Sequence, residues 1–426
     1  MTGRSARVAG PGLSRGSGPA ILWASPLPPT RSGVADYAAE LLPFLSACAP
    51  VTLVTPPDWR SAGDEAWAAG IPRVGCDQAP DGDAISLLHL GNNPYHRWVA
   101  TRLRRFGGTV VLHDSVVHHL LVEEAAAEDA WDRFDAELTG AEGAAGGALA
   151  AARRSGFHGR LDPFLFPALG VYLRLANAVV VHSRDAASCV RRAAPRTPLE
   201  LVPLAVAALP SGQRTEARRH LGMSEREVVL AHFGFLTPAK GLQTILVALL
   251  ALAELGVPIK LLVVGEGREG ELLEEEARRA GVADRVRLTG WVEPDELGRI
   301  LVAADLGLVP RYPTAGETSA AALRFMAVGT PVVVSGHRQF LELPPAAAFR
   351  IAPGRAGAAE LVRIVVHAAG NPESLSAARV AARRAWEGGG HSPADAARRF
   401  LAAIERLSGA RPPRTLEGRP IEGSRD

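Results

Sequence analysis

Residues Asp305 to Ser335 read DLGLVPRYPTAGETSAAALRFMAVGTPVVVS, an order that few local structures accommodate. An apolar run from Asp305 to Val309 enters a Pro/Gly turn, and Glu317, Thr318 and Ser319 follow Gly316. An Ala/Leu-rich helical pattern then ends at Gly329, and a second apolar run, Pro331 to Ser335, returns. Strand, loop, helix and strand in that order predict a parallel βαβ unit, whose ligands bind in the crevice at the carboxyl ends of the strands. Thr318 or Ser319 can cap the helix, so that free backbone N–H groups and the positive end of the helix dipole face the crevice. That favours an anionic ligand, and Glu317 beside it suits ligand hydroxyls.

A chain of 426 residues exceeds one ordinary domain and predicts two or three, each able to bury its own core. Its 47 basic and 45 acidic residues leave a net charge of +2, which gives no overall field for nucleic acid. The basic clusters Arg102 to Arg105 and Arg191–Arg192 read first as solvated helix faces, or as contacts to an anionic membrane surface. Cys48, Cys76 and Cys189 fall in no metal or redox spacing, and a reduced cytoplasm is the simplest reading. No apolar run reaches spanning length without charges, so any membrane association is expected to be peripheral.

Before the Asp305 stretch the chain alternates. Strand patterns at Pro19 to Ser25, Pro50 to Thr55, Ile85 to Leu90, Thr109 to Leu112, Ala178 to Ser183 and Leu199 to Leu204 are separated by helical ones, which predicts an open parallel sheet covered on both faces. Gly33, after a Pro-rich loop, opens a helix. Leu120 to Arg154 is helical, with breaks expected at Gly140, Gly143, Gly146 and Gly147, and a further helix is expected from Asp162–Pro163 to Ala176. Ala207 to Arg214 has the composition of a linker. The pattern then restarts at Val228, so a second α/β unit and a cleft between the two are expected.

Several motifs invite chemistry. Asp81-Gly82-Asp83 follows Pro80 and reads as a turn. His113–Asp114 ends a strand and is followed by His118 and His119, but no metal-ligand spacing supports a metal there, and none is assigned. His113 either hydrogen-bonds a ligand hydroxyl or phosphate, or is satisfied within the rim of the sheet. Gly265-x-Gly267-x-x-Gly270 fits the dinucleotide fingerprint literally, yet Glu266 and Glu269 put negative charge where a pyrophosphate would lie, and no nicotinamide or other cofactor is expected.

The Asp305 stretch resembles the family 4 glycosyltransferases of the GT-B fold, which are retaining. Their Ala-Met-Ala-x-Gly-x-Pro-Val-Val ending stands here as Phe325 to Val333, and Glu317 matches the first of two family acids. The glycine loop SPLPPTRSGVADY and the Gly234-to-Gly241 loop resemble the family's phosphate-binding segments. Two positions depart from the pattern: Arg324 stands where the second acid is expected, and Phe235 where an arginine precedes Lys240. The resemblance implies α/β GT-B architecture, two Rossmann-like domains with a cleft between them and a C-terminal crossover helix. Its expected parts are a disordered 1–18, an acceptor-side domain over 19–206, a nucleotide-sugar domain over 207–390, the crossover helix 391–408 and a disordered tail 409–426.

The function it implies is metal-independent hexosyl transfer from a nucleotide-sugar donor to a glycan, lipid-linked or small-molecule acceptor. Such an enzyme is expected in carbohydrate biosynthesis, in the cytoplasm or peripherally at the inner membrane face. Expected catalytic residues are His113, Lys240 and Glu317. Donor contacts are expected from Gly33, Gly234, Lys240, Arg311, Gly316, Glu317, Thr318, Ser319 and Arg324. Arg324 would take over diphosphate contact, pair with Glu317, or face solvent, and Arg311 is the other cation able to compensate for Phe235. The competing reading is a non-catalytic GT-B sugar or nucleotide-sugar binder that has lost turnover. An epimerase or phosphorylase on the same fold is disfavoured by the Asp305 stretch.

Overall fold

The computed structural model describes residues 19–56, 58–60 and 66–408; the expected disordered segments 1–18 and 409–426 lie outside them. Two parallel sheets are present. The first contains β1 (Ile21–Ala24), β2 (Val51–Thr55), β3 (Arg73–Gly75), β4 (Ile85–Leu90), β5 (Thr109–Leu112), β6 (Ala178–Val181) and β7 (Leu199–Leu201), in the order β3-β2-β1-β4-β5-β6-β7. The second contains β8 (Val228–Phe233), β9 (Ile259–Val264), β10 (Val286–Gly290), β11 (Leu306–Val309), β12 (Val332–Ser335) and β13 (Ala348–Ile351), in the order β10-β9-β8-β11-β12-β13. Both orders reverse beside their first strand, which opens a ligand crevice at the carboxyl ends of the strands. Central strands such as β6 (AVVV) and β12 (VVVS) are buried along their whole length, as strands covered on both faces must be.

One apolar cluster runs through both units. It joins Trp23, Leu41 and Leu45 of the first to Phe325, Met326 and Trp386 of the second by way of Phe400, Ala403 and Ile404 on the last described helix, Pro393–Ser408. That helix packs against the helix Gly33–Cys48 of the first unit. The chain between the units is clamped by the same elements: Trp386 Nε1 donates to Val206 O (3.1 Å), and Val206 N donates to His391 O (2.8 Å).

Three local expectations are corrected. The helical stretch after Leu120 forms two helices, His118–Glu128 and Trp131–Arg154, and of its four glycines Gly143 alone leaves helical geometry, at φ 68°. The single helix expected from Asp162 to Ala176 is two short ones, Asp162–Leu165 and Leu169–Leu173, because Pro167 cannot continue a helix and Ala168 takes a left-handed conformation. Strands β3 and β13 are short, and the alternation rule passed over them.

The Gly-x-Gly-x-x-Gly run has a packing explanation. A Cβ at Gly265 would lie 2.1 Å from Gly234 O, one at Gly267 2.3 Å from Leu236 O, and one at Gly270 2.5 Å from Leu236 Cδ1. The glycines let the loop after β9 lie against the loop after β8. Gly265 also has φ 130°, so Gly265→Ala is expected to cost about 2–5 kcal/mol, from strain and overpacking together. A urea midpoint unchanged from wild type would show that the loops can separate without loss.

Candidate active site

The loops after β5 and β11 meet across the crevice. Ser115 N and Val116 N both donate to Ala315 O, at 2.8 and 2.9 Å. Contact this close needs Gly316, which has φ 79° and whose Cβ would lie 2.8 Å from Ser115 Oγ. Asp114 of the first unit is thereby brought near Arg311 of the second. A further bridge is made by Arg31 in the glycine loop, 3.8 Å from Glu266 and 6.0 Å from the ring of Trp291.

The second unit supplies the cations. Lys240 closes a short 3₁₀ turn, Pro238–Lys240, just before the helix Leu242–Glu254. Its ammonium lies 3.3 Å from where a Cβ on Gly234 would stand, and Gly234 has φ 122°. Burial and the nearby Arg311 push Lys240 well below the ordinary lysine range, and among the described residues no carboxylate pairs with it. Arg311 N donates to Ser335 Oγ (2.9 Å), which fixes the backbone after β11. The Arg311 guanidinium pairs with the Glu317 carboxylate, and its pKa is lowered to about 10 by burial, with Asp114 opposing the shift.

Glu317 is held from two sides. Thr314 Oγ1 donates to Glu317 Oε2 (3.0 Å), and Gln339 Nε2 donates to Glu317 O (2.9 Å). Ser319 caps the helix Ala320–Ala327, its Oγ accepting from Ala322 N at 3.2 Å, so the cap falls to Ser319 of the two candidates. Thr318 lies half-buried between them. Across the crevice, Ser32 caps the helix Gly33–Cys48, and a side chain at Gly33 would meet no protein atom within 4 Å. Both units therefore carry a side-chain-capped helix N-terminus after their loops.

Arg324 departs from its expected pairing. Its guanidinium donates to Glu40 Oε1 (2.7 Å) and Ala207 O (3.4 Å), and Glu317 takes Arg311 instead. The physical reason is that Glu317 precedes the helix, so the two side chains share no helical face, whereas Glu40 reaches Arg324 from the other unit. Phe235, in place of the expected arginine, is exposed and brings no charge.

His113 sits half-buried at the end of β5, with Nε2 2.9 Å from His89 Nδ1. Asp114 accepts from Asn92 N (2.7 Å), and burial lifts its carboxyl to about 6, against the pull of Asn92 N–H and Arg311. The folded state thus holds that proton more tightly than the unfolded chain. Ionisation consequently costs folding free energy as pH climbs from about 4 through 6, and the cost persists above. Asp114→Asn is expected to gain stability over wild type between about pH 4 and pH 7; parallel stability–pH curves would overturn this.

His89, His182, Tyr37, His232 and Glu40 were not singled out from the sequence as site residues, and Asp114 was weighed there only as a metal ligand and not assigned. A signal was present for the histidines, since ISLLHL, AVVVHS and VVLAHF each carry a histidine next to last in a strand pattern. His232, at the end of β8, donates through Nδ1 to Leu308 O (2.8 Å) and is held neutral, with a pKa of about 3, by burial and by Lys240.

Fold and site together define a two-unit α/β protein with Lys240, Arg311 and Glu317 on the loops of its second unit. The description "Glycosyl transferases group 1" is that of the family model matched by residues 227–382. Over 128 residues the chain is 34% identical to D-inositol 3-phosphate glycosyltransferase of Segniliparus rotundus, covering 29% of this chain and 28% of that protein. Over 186 residues it is 31% identical to 2-deoxystreptamine glucosyltransferase of Streptomyces kanamyceticus, covering 42% and 46%. These matches span less than half the length of either relative. Among solved structures, sucrose-phosphate synthase from Thermosynechococcus elongatus matches 92% of this chain and 100% of its own, with TM-score 0.66 at 17% identity. HepE of Anabaena, in complex with UDP-glucose, matches 92% and 99%, with TM-score 0.59 at 17% identity. Residues 227–382 thus match the model of the group 1 glycosyl transferases, and the chain as a whole has the GT-B fold. Among the described residues no helix is long and apolar enough to cross a membrane.

Proposed function

We propose that this protein is a retaining glycosyltransferase that moves a hexose from a nucleoside diphosphate sugar to an acceptor hydroxyl. The observation that carries the reading is Lys240, a cation without a carboxylate partner among the described residues, beside Arg311 and just before the helix Leu242–Glu254. In the transition state the bond between the anomeric carbon and the diphosphate oxygen breaks, and negative charge grows on that oxygen. Lys240 and Arg311 would stabilise it, and such preorganisation is usually the main source of an enzyme's rate enhancement. The acceptor oxygen forms the new bond on the same face, and its proton passes to the departing diphosphate. No protein nucleophile and no metal is assigned.

Glu317 would bind donor hydroxyls, its carboxylate shared with Arg311. Gly33, Gly234, Gly316, Thr318 and Ser319 would let backbone approach the diphosphate, and His113 would contact the transferred sugar or the leaving phosphate. Arg324 would act through Glu40 on the geometry of the two units. The acceptor, a glycan, a lipid-linked glycan or a small molecule, would enter from the first unit, at the cytoplasmic side of any membrane.

The titles of the HepE structures name UDP and UDP-glucose, which makes UDP-sugars the first donors to try. Thermal unfolding against UDP-, GDP-, ADP- and dTDP-sugars is expected to give a raised midpoint with one nucleotide class, since a ligand of the folded state stabilises by mass action. Slow hydrolysis of that donor without acceptor is expected as well. Stabilisation by none of the four would remove the donor half of the proposal.

A further inference from the structure

Three neighbouring strands of the first sheet, β4, β5 and β6, carry histidines at or just past their carboxyl ends: His89, His113 and His182. Their rings form one cluster, with His89 and His113 centroids 5.2 Å apart and His113 and His182 5.1 Å apart. The rings of Trp23 and His89 lie tilted with centroids 4.0 Å apart, and Tyr37 meets His113 edge-on at 5.2 Å. His89 Nε2, His182 Nε2 and Tyr37 Oη are buried without a partner.

The hydrogen bonds decide where the protons sit. His182 Nδ1 lies 2.9 Å from Val202 O, and a carbonyl can only accept, so that nitrogen carries the proton. The bond between His89 Nδ1 and His113 Nε2, at 2.9 Å, needs one proton, and either ring could supply it. If His113 supplied it, neutral His89 would carry its own proton on Nε2, a buried N–H with no acceptor. An orphaned buried donor is rarer and costlier than an unfilled lone pair. His89 therefore donates from Nδ1. Burial and the neighbouring imidazoles His182, His89 and His96 keep His113 neutral, so its single proton lies on Nδ1. That atom is absent from the buried unpartnered set, and the ring stands beside Asp114 and the loop that meets Gly316.

We propose that His89 is a positioning residue that locks His113 in the Nδ1–H tautomer, making His113 a hydrogen-bond donor to a ligand oxygen in the crevice and withholding it from general-base chemistry. For its consequence in turnover, this inference rests on the glycosyl-transfer reading. The tautomer itself is independent of any substrate.

The test begins with full-length protein carrying ¹⁵N-labelled histidine, in which long-range ¹⁵N–¹H correlation spectra separate the two tautomers. His113→Gln identifies the resonances of His113 by their loss. The expected wild-type result is a protonated Nδ1 and a bare Nε2 on His113. His89→Asn keeps a donor where Nδ1–H stood and is expected to preserve that tautomer, with kcat/KM for donor turnover within about threefold of wild type. His89→Leu removes the donor; mixed tautomers are expected, with kcat lowered roughly ten- to a hundredfold and KM little changed, the range typical of partners that orient a functional histidine. A proton on Nε2 of His113 in wild type, or an unaltered His113 spectrum in folded His89→Leu, overturns the inference. Failure of the donor panel would strike the glycosyl-transfer reading and leave this spectroscopic result standing.

Discussion

Replacing Lys240 by alanine is expected to abolish the thermal shift produced by the donor and to lower kcat roughly 10²–10³-fold, the usual cost of one preorganised group on a developing anion. The size follows from the charge count at the crevice. Arg311 shares its guanidinium with Glu317, and Phe235 supplies no charge where an arginine was expected, so Lys240 is the less neutralised of the two cations offered to the leaving group. Lys240→Ala is also expected to be at least as stable as wild type without ligand, because it removes a half-buried charge held without a carboxylate partner among the described residues. The sign is consistent with the depressed pKa: the folded lysine binds its proton less tightly than the unfolded chain, so charging it opposes folding as pH falls. Two measurements decide the matter, unfolding with and without donor and single-turnover rates. Equal donor affinity in Lys240→Ala and wild type would move the diphosphate site elsewhere in the crevice.

Arg324→Ala is expected to destabilise the protein by about 2–4 kcal/mol, somewhat less than the loss of one partner from a fully buried ion pair. The side chains of Arg324 and Glu40 retain 11% and 19% exposure, which justifies the discount. More than a pair is broken, since Glu40 also accepts from Ala207 N (2.7 Å) and Arg324 donates to Ala207 O, so the two side chains hold the linker between the units. A double-mutant cycle with Glu40→Ala is expected to show coupling of about 1–3 kcal/mol. Additive losses would mean that Arg324 and Glu40 act separately.

Much of the fold was legible because it rests on local rules. Fully buried parallel strands read as apolar runs, and Thr109 to Leu112 and Ile85 to Leu90 were placed to the residue, as was the restart at Val228. The order strand, Glu317, Ser319, helix fixed a capped N-terminus facing a crevice, and the Lys240 loop placed a cation near it. Errors fell where local rules compete. Helical composition around Gly140, Gly146 and Gly147 outweighed their glycine character, and Pro167 divided a segment whose apolar spacing suggested one helix.

The partners of Arg324, Glu317 and His113 could not be read in this way. Each bond joins residues distant in sequence: Glu40 to Arg324, the His113–Asp114 loop to the Gly316 loop, His89 to His113. Spacing along a helix suggested Glu317 for Arg324, but the helix begins at Ala320, so that rule did not apply. The sequence alone determined two parallel α/β units, the capped helix ends and the cation at Lys240, because burial periodicity, capping and loop chemistry act over a few residues. The tertiary structure alone decided which charges neutralise one another and which nitrogen of His113 carries the proton, because those depend on distances between side chains that only the docking of the two sheets and their loops sets.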